Sequence, residues 1–329
     1  MRIGVFCSGG DAPGMNPCVR AVVRRAVSTG NEVVGIHRGY QGLLDEDFFL
    51  NIVGEPRMTL RSVSGWSRLG GARLRSSRCE EFRTEAGLVK AARILTKHGI
   101  DALIPIGGDG TSRGAVDLMR HWNGRVVSCP GTIDNDLIGT DFTIGFSTAV
   151  QTAVEAVDKI RDTAESHERM FLVEVMGRHS GYIALHTALA SGAEGVCIPE
   201  TSTDIAGIAD HLRVLKERGK TSVMIIVAEG DERGGADVLQ KELAAAGCPF
   251  STRVVVLGHL QRGGCPSPED RILASRLGDY AVTALLDGAN AVMAGVSAGT
   301  NTLTPLEETF TGHKPLPAEL LQLLETLAM

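Results

Sequence analysis

The chain has 329 residues, of which 43% are hydrophobic and 22% charged, and its net charge is −6. That length suits about two domains of ~150 residues, and the composition is that of a soluble globular protein rather than a disordered or fibrous one. A mildly acidic chain has no general attraction for nucleic acid or an anionic membrane, so any anionic ligand must be held by local arginine clusters.

In chain order, a short apolar strand at Ile3–Cys7 runs through a glycine loop into a helix at Pro17–Ser28, and a strand at Val33–Ile36 follows. Beyond a long polar stretch come helix Leu88–Lys97, strand Ala102–Ile106, helix Gly114–Arg120, strand Val126–Ser128 and helix Thr148–Asp162. The remainder alternates in the same way: Phe171–Val175, Tyr182–Ala190, Val196–Ile198, Ile205–Arg218, Ser222–Ala228, Asp237–Ala245, Val254–Leu257, Pro268–Leu286 and Val292–Val296. Strand–helix alternation over the whole chain predicts mostly parallel sheets covered by helices on both faces. Sites in such folds collect beyond the carboxyl ends of the strands.

The start Met1-Arg2-Ile3-Gly4-Val5-Phe6 lacks a signal-peptide layout, and the longest apolar run, Val223–Ala228, is too short to span a bilayer. Seven scattered cysteines without a C-x-x-C pair fit free thiols in a reducing compartment. The expectation is a cytoplasmic protein.

Three connections follow short apolar strands: Ser8-Gly9-Gly10-Asp11-Ala12-Pro13-Gly14-Met15-Asn16, Gly107-Gly108-Asp109-Gly110-Thr111 and Pro130-Gly131-Thr132-Ile133-Asp134-Asn135-Asp136. Glycine lets backbone N–H groups approach a ligand, and a following helix N-terminus favours a phosphate. Any one of these loops is equally a tight turn; together, with their aspartates, they point to a nucleotide site. Magnesium-dependent phosphoryl transfer needs one carboxylate near the metal and another to accept a hydroxyl proton, and Asp109, Asp134 and Asp136 can supply both. Asp11 reads better as a turn residue. No G-x-x-x-x-G-K-[ST], H-E-x-x-H or G-x-S-x-G occurs, and Arg113 stands where a dinucleotide fingerprint needs its third glycine. On the anion side, Met176-Gly177-Arg178, Glu229, Arg253 and His259-Leu260-Gln261-Arg262-Gly263-Gly264 lie at or near predicted strand ends. Arginine suits phosphate through paired hydrogen bonds, although a lone arginine there is also ordinary surface.

These three loops, Met176-Gly177-Arg178 and Gly258-His259-Leu260-Gln261-Arg262-Gly263-Gly264 occur in the order seen in bacterial 6-phosphofructokinases, which the chain resembles from Met1 to about Val296. The second loop alone is also similar to NAD kinases and lipid kinases. The resemblance implies two Rossmann-like α/β domains with an active-site cleft between them. They are expected at 1–146 plus 263–305 for ATP, and at 147–262 plus 306–329 for fructose 6-phosphate. It implies ATP contacts at Gly10, Tyr40, Arg73, Leu74, Arg78, Gly108, Asp109, Gly110 and Thr111, with Asp109 beside Mg²⁺. It makes Thr132, Asp134 and Asp136 the catalytic loop, with Asp134 as general base and Gly10 and Arg73 offsetting phosphoryl charge. Sugar-phosphate contacts are implied at Thr132, Asp134, Met176, Gly177, Arg178, Glu229, His259 and Arg262, with Arg169 and Arg253 reaching in from a neighbouring subunit of a homotetramer.

A pyrophosphate-dependent member typically carries aspartate at the position of Gly110 and lysine at that of Gly131; both are glycine here, which favours ATP. A catalytically dead regulatory subunit is the other alternative, opposed by the intact Asp109, Asp134, Arg73, Arg169 and Arg253. The resemblance also implies an effector site for a phosphorylated ligand at Arg20, Arg24, Arg161, Glu194, Arg218 and Lys220, with Leu60 at a place usually acidic. Arg20 and Arg24, four apart on one helix face, are equally a solvated pair.

Overall fold

The computed structural model describes residues 1–328. Met329, the last residue of the second expected domain, lies outside the described residues. In chain order the elements are β1 (Arg2–Cys7), α1 (Met15–Ser28), β2 (Glu32–Gly35), α2 (Gly39–Leu44), α3 (Glu85–Lys97), β3 (Ala102–Gly107), α4 (Asp109–Met119), β4 (Arg125–Thr132), β5 (Ile144–Gly145), α5 (Phe146–His167), β6 (Arg169–Val175), α6 (Tyr182–Ser191) and β7 (Gly195–Cys197). They continue with α7 (Ile205–Glu217), β8 (Val223–Ala228), α8 (Ala236–Ala245), β9 (Ser251–Val256), α9 (Pro268–Leu286), β10 (Val292–Ser297), β11 (Thr300–Pro305) and α10 (Ala318–Leu327).

The chain divides into two compact units, the first formed by 1–133, 137–148 and 262–314 and the second by 134–136, 149–261 and the tail from 315. The first holds a sheet in the order β11-β10-β4-β3-β1-β2, with β5 added to β4. Its pairings are parallel except β10 with β11. The second holds a parallel sheet in the order β7-β8-β6-β9. The central strands β3 and β8 are apolar runs buried throughout, the pattern of parallel sheets covered on both faces. The edge strand β9 is half exposed along its length. The first core gathers Phe6, Ile36, Leu95, Leu103 and Leu118; the second gathers Met170, Leu172, Leu212, Val223 and Leu243.

The α/β reading with mostly parallel sheets holds. Two details of the expected segments change. Residues 306–314 were expected with the second domain, but Leu306 is buried in the first unit's core and that stretch packs there; only the tail from Pro315 joins the second unit, where the Tyr182 hydroxyl donates to Pro315 O at 2.8 Å. The helix expected at Gly114 begins five residues earlier, at Asp109. The second glycine segment is therefore the first turn of α4 rather than a loop ahead of it. α5 starts in the first unit, where Asp270 of α9 accepts from the backbone N–H groups of Gly145 and Thr148 at 2.7 Å each. The Thr148 hydroxyl adds a third bond to that carboxylate, and burial pushes the carboxyl above its ordinary range.

Candidate active site

In the first unit, β1, β3 and β4 bring the three predicted glycine segments to the carboxyl edge of one sheet. The first segment is shaped by Gly9 (φ 83°) and Gly14 (φ 111°), backbone angles that side-chain-bearing residues rarely adopt. The second packs tightly against it. A Cβ on Gly107 would fall 2.5 Å from Ser8 O, and the Thr111 hydroxyl donates to that same oxygen at 3.3 Å. Because α4 starts at Asp109, the positive end of its helix dipole lies at this segment, where Gly108 O already accepts from the Thr111 and Ser112 N–H groups; such a helix start is a natural seat for phosphate oxygens. Asp109 is half buried at this N-terminus and Gly110 is exposed, with open space where a side chain would project. Gly131 differs. It is buried, and an added Cβ would meet Ile106 at 2.9 Å and Met15 at 3.1 Å.

Two of the expected nucleotide contacts turn inward. Tyr40 stacks on Phe82 at 3.9 Å between centroids, packs edge-on to Phe6, and donates from its hydroxyl to Thr111 O at 2.7 Å. Burial pushes its phenol far above the ordinary range, so it is a neutral strut under the first turn of α4. Leu74 is fully buried beneath Gly35. Both side chains face the core beneath this edge of the sheet. Arg73 and Arg78, by contrast, are exposed on the segment between α2 and α3. Arg262, expected on the sugar phosphate, opens the first-unit segment 262–314. Its guanidinium lies over Gly10, where a Cβ would come within 2.7 Å of Nη1, and that nitrogen donates to Asp11 O at 3.1 Å.

Beyond β4 the backbone enters the second unit at Asp134, which is 3% exposed, and Asn135 takes a left-handed conformation (φ 51°). Thr132 precedes this turn, its carbonyl accepting from the Thr143 hydroxyl at 2.7 Å; Asp136, half buried, closes it. The Ser180 hydroxyl donates to Asp134 O at 2.8 Å. Ser180 in turn donates its N–H to Gly177 O at 2.9 Å, so the Asp134 loop is tied to the turn that carries Met176, Gly177 and Arg178. That turn is itself strained, with Arg178 at φ 53°. Its three successive N–H groups are held by side chains: Gln261 accepts from Met176 at 2.8 Å, and Glu229 accepts from Gly177 at 3.3 Å and Arg178 at 2.9 Å. Glu229, exposed just past β8, thus fixes the turn. His259 is exposed in the 3₁₀ turn Gly258–Arg262. Gln261 and Ser180 were missed by the sequence reading. The former stood inside the quoted motif, but nothing in the motif says which neighbour its amide meets.

Arg169 and Arg253 stand apart from this set. Arg169 opens β6, six residues before Val175, a strand length of ~20 Å. Arg253 lies beside Phe171 on the edge strand β9, exposed, its Nη1 donating to Thr252 O. The expected effector residues are mixed. Arg20 is half exposed, and Arg24 and Arg218 are exposed. Arg161 and Lys220 both pair with Glu194, which is 5% exposed and also accepts from Met224 N at 2.6 Å.

Two thiols near this edge are buried. Cys7 is fully buried at the end of β1, and burial pushes its thiol up to about 12. Cys18 is raised as well, chiefly by the hydrogen bond it shares with Cys129 and by burial. Thiols so far from ionisation are poor nucleophiles.

Comparison with known proteins decides the family. The family model described as Phosphofructokinase matches residues 2–285. The chain belongs to the phosphofructokinase family. It is 50% identical over 328 residues to the ATP-dependent 6-phosphofructokinase 1 of Thermus thermophilus, covering 100% of this chain and 99% of that protein. It is 51% identical over 294 residues to the ATP-dependent 6-phosphofructokinase of Clostridioides difficile, 89% of each chain. Among solved structures, the phosphofructokinase of Saccharomyces cerevisiae superposes with a TM-score of 0.85 at 34% identity, over 99% of this chain; the chain spans 46% of that longer one. The phosphofructokinase resemblance read from the five motifs therefore holds along the full length. Among the described residues, no helix is long and apolar enough to cross a membrane.

Proposed function

We propose that this chain transfers the γ-phosphoryl group of ATP to the 1-hydroxyl of fructose 6-phosphate, giving fructose 1,6-bisphosphate and ADP, a glycolytic step in the cytoplasm. The observation that carries this reading is the tie through Ser180 between the main chain of the Asp134 loop and the Glu229-braced turn that carries Arg178. The close relatives named for the same reaction agree with it.

On this reading the protein forms no covalent intermediate; it positions reactants and offsets charge. The sugar 1-oxygen attacks the γ-phosphorus, the bond to the ADP oxygen breaks, and Asp134 accepts the hydroxyl proton. N–H groups at the start of α4 and near Gly10 receive phosphate oxygens, and the exposed Arg73 and Arg78 offset their charge. Arg178 and His259 contact the sugar phosphate. A magnesium ion fits Asp109: a single half-buried carboxylate at a phosphate-binding helix start is a usual protein share of a hard, oxygen-seeking ion whose other ligands are phosphates and water. When bound, that ion supplies charge neutralisation on the phosphates.

Pyrophosphate is disfavoured as donor. A lysine at Gly131 would have to displace Ile106 and Met15, whereas Gly110 leaves room for the nucleotide. Initial rates with Mg·ATP should therefore exceed those with Mg·pyrophosphate. Gly110→Asp, which has space for its side chain, should lower kcat/KM for ATP by ~10²-fold through like-charge repulsion with the phosphates. Faster turnover of the wild type with pyrophosphate would reverse the assignment.

The strand length between Arg169 and the Arg178 turn supports a second element of the proposal. In a homotetramer, Arg169 and Arg253 serve the sugar phosphate of a neighbouring subunit. Mixed oligomers of Arg253→Ser and Asp134→Asn chains should then regain activity that neither parent has, because some sites draw both intact residues from different chains. Absence of recovery after verified subunit exchange would count against the shared site.

A further inference from the structure

Asn16 lies in the first turn of α1, its side chain wholly buried, yet its partners are far away in sequence. Its amide nitrogen donates toward three carbonyls, Leu69 O at 2.9 Å, Gly70 O at 3.1 Å and Gly71 O at 2.9 Å. Its Oδ1 accepts the N–H of Arg73 at 2.7 Å. One side chain thus takes up most of the polar backbone of the segment that delivers Arg73. Two further restraints close around the same segment. The Ser76 hydroxyl donates to Gly9 O at 2.5 Å, tying it again to the first glycine loop, and Gly70 lies so near Gly264 that an added Cβ would fall 2.0 Å from the Gly264 carbonyl. The guanidinium of Arg73 is exposed, and among the described residues no hydrogen bond or ion pair holds it.

We propose that Asn16 is a positioning residue for Arg73, fixing through the main chain where that guanidinium meets the phosphates of ATP. The inference rests on the proposed role of Arg73 in offsetting phosphoryl charge. The chemistry selects an amide. Its NH₂ group satisfies the carbonyls while its oxygen satisfies the Arg73 N–H, and no other small side chain offers two donors together with a separate acceptor atom. Aspartate would press a carboxylate against three carbonyl oxygens. Alanine or serine would leave buried backbone groups unpaired. Because an arginine side chain is long and flexible, its useful charge depends on a fixed root. Asn16 supplies that root at a distance from the reacting atoms.

The experiment is a double-mutant cycle in steady-state kinetics on the full chain, using Asn16→Ser, Arg73→Ala and both together. Arg73→Ala should lower kcat by ~10²-fold, the loss typical of one transition-state charge contact. Asn16→Ser should lower kcat by ~10-fold with a smaller change in KM, and the double variant should be no slower than Arg73→Ala alone, since positioning an absent group has no effect. Wild-type kinetics for Asn16→Ser, or losses that multiply in the double variant, would overturn the proposal. Wild-type kinetics for Arg73→Ala would instead overturn the role given to Arg73 and the proposal with it. Amide exchange tells these failures apart and needs no variant that folds. In the wild type the Arg73 N–H should exchange far more slowly than those of Ser76 and Ser77 in the same segment. Equal exchange at Arg73, Ser76 and Ser77 would show that Asn16 does not hold the segment.

Discussion

Asp134→Asn should lower kcat by roughly 10²–10⁴ while leaving KM for both substrates within a few-fold of wild type. On the proposed reading the substitution removes proton acceptance. An amide keeps the size of the side chain and a carbonyl oxygen to receive the sugar hydroxyl's hydrogen bond, so substrate binding persists. The bond that locates the loop runs from the Ser180 hydroxyl to the main-chain oxygen of residue 134, which the variant retains. The left-handed turn at Asn135 is also untouched. Thermal stability should accordingly stay close to wild type, which separates a chemical defect from a folding defect. A purified Asp134→Asn enzyme turning over within a few-fold of the wild-type rate would remove Asp134 from the role of general base. Asp136, half buried two residues on, would be the next residue to test.

The parts of this protein that were legible in its sequence are those in which local pattern and tertiary demand agree. β3 and β8 are short apolar runs between turn residues, and they are strands because both faces of a parallel sheet want such residues. β11 was not foreseen. Its sequence Thr300-Asn301-Thr302-Leu303-Thr304-Pro305 is polar and mostly exposed, and it is a strand only because β10 offers an antiparallel edge. The start of α4 was misplaced because Gly107-Gly108-Asp109-Gly110 reads as a turn, whereas Gly108 O already accepts from the N–H groups of Thr111 and Ser112. In the candidate site, the directions of side chains were not readable. Tyr40 and Leu74 sit at the expected positions yet face the core, and Arg262 lies over Gly10. Side-chain direction and long-range partners such as those of Asn16 depend on segments more than fifty residues apart, where neither periodicity nor spacing carries information.

The second large effect concerns Glu194, where the sequence reading placed part of an effector site. The carboxylate is buried at the start of β7, bonded to Met224 N and paired with Arg161 and Lys220. Arg161 has further partners: its Nη2 donates to Ser191 O at 2.9 Å and Gly192 O at 3.0 Å, carbonyls at the carboxyl end of α6 where the helix dipole favours a cation. Lys220 is more open to solvent, so its removal alone should cost little. Removing both cations with Arg161→Met and Lys220→Met leaves a desolvated charge with a single backbone donor. That loss should amount to ~3–5 kcal/mol and lower both the thermal and the denaturant midpoints. Adding Glu194→Gln to the double variant should restore most of it, since the amide carries no charge to solvate. This rescue is the decisive measurement, because a general packing defect from losing two long side chains would not respond to residue 194. A double variant that loses less than ~1 kcal/mol would mean that Glu194 does not depend on these cations, leaving them available to a phosphorylated ligand. The expected outcome instead confines any effector phosphate to the half-exposed Arg20 and the exposed Arg24 and Arg218, whose substitution should leave stability unchanged and weaken only the binding of a phosphorylated effector in calorimetric titration.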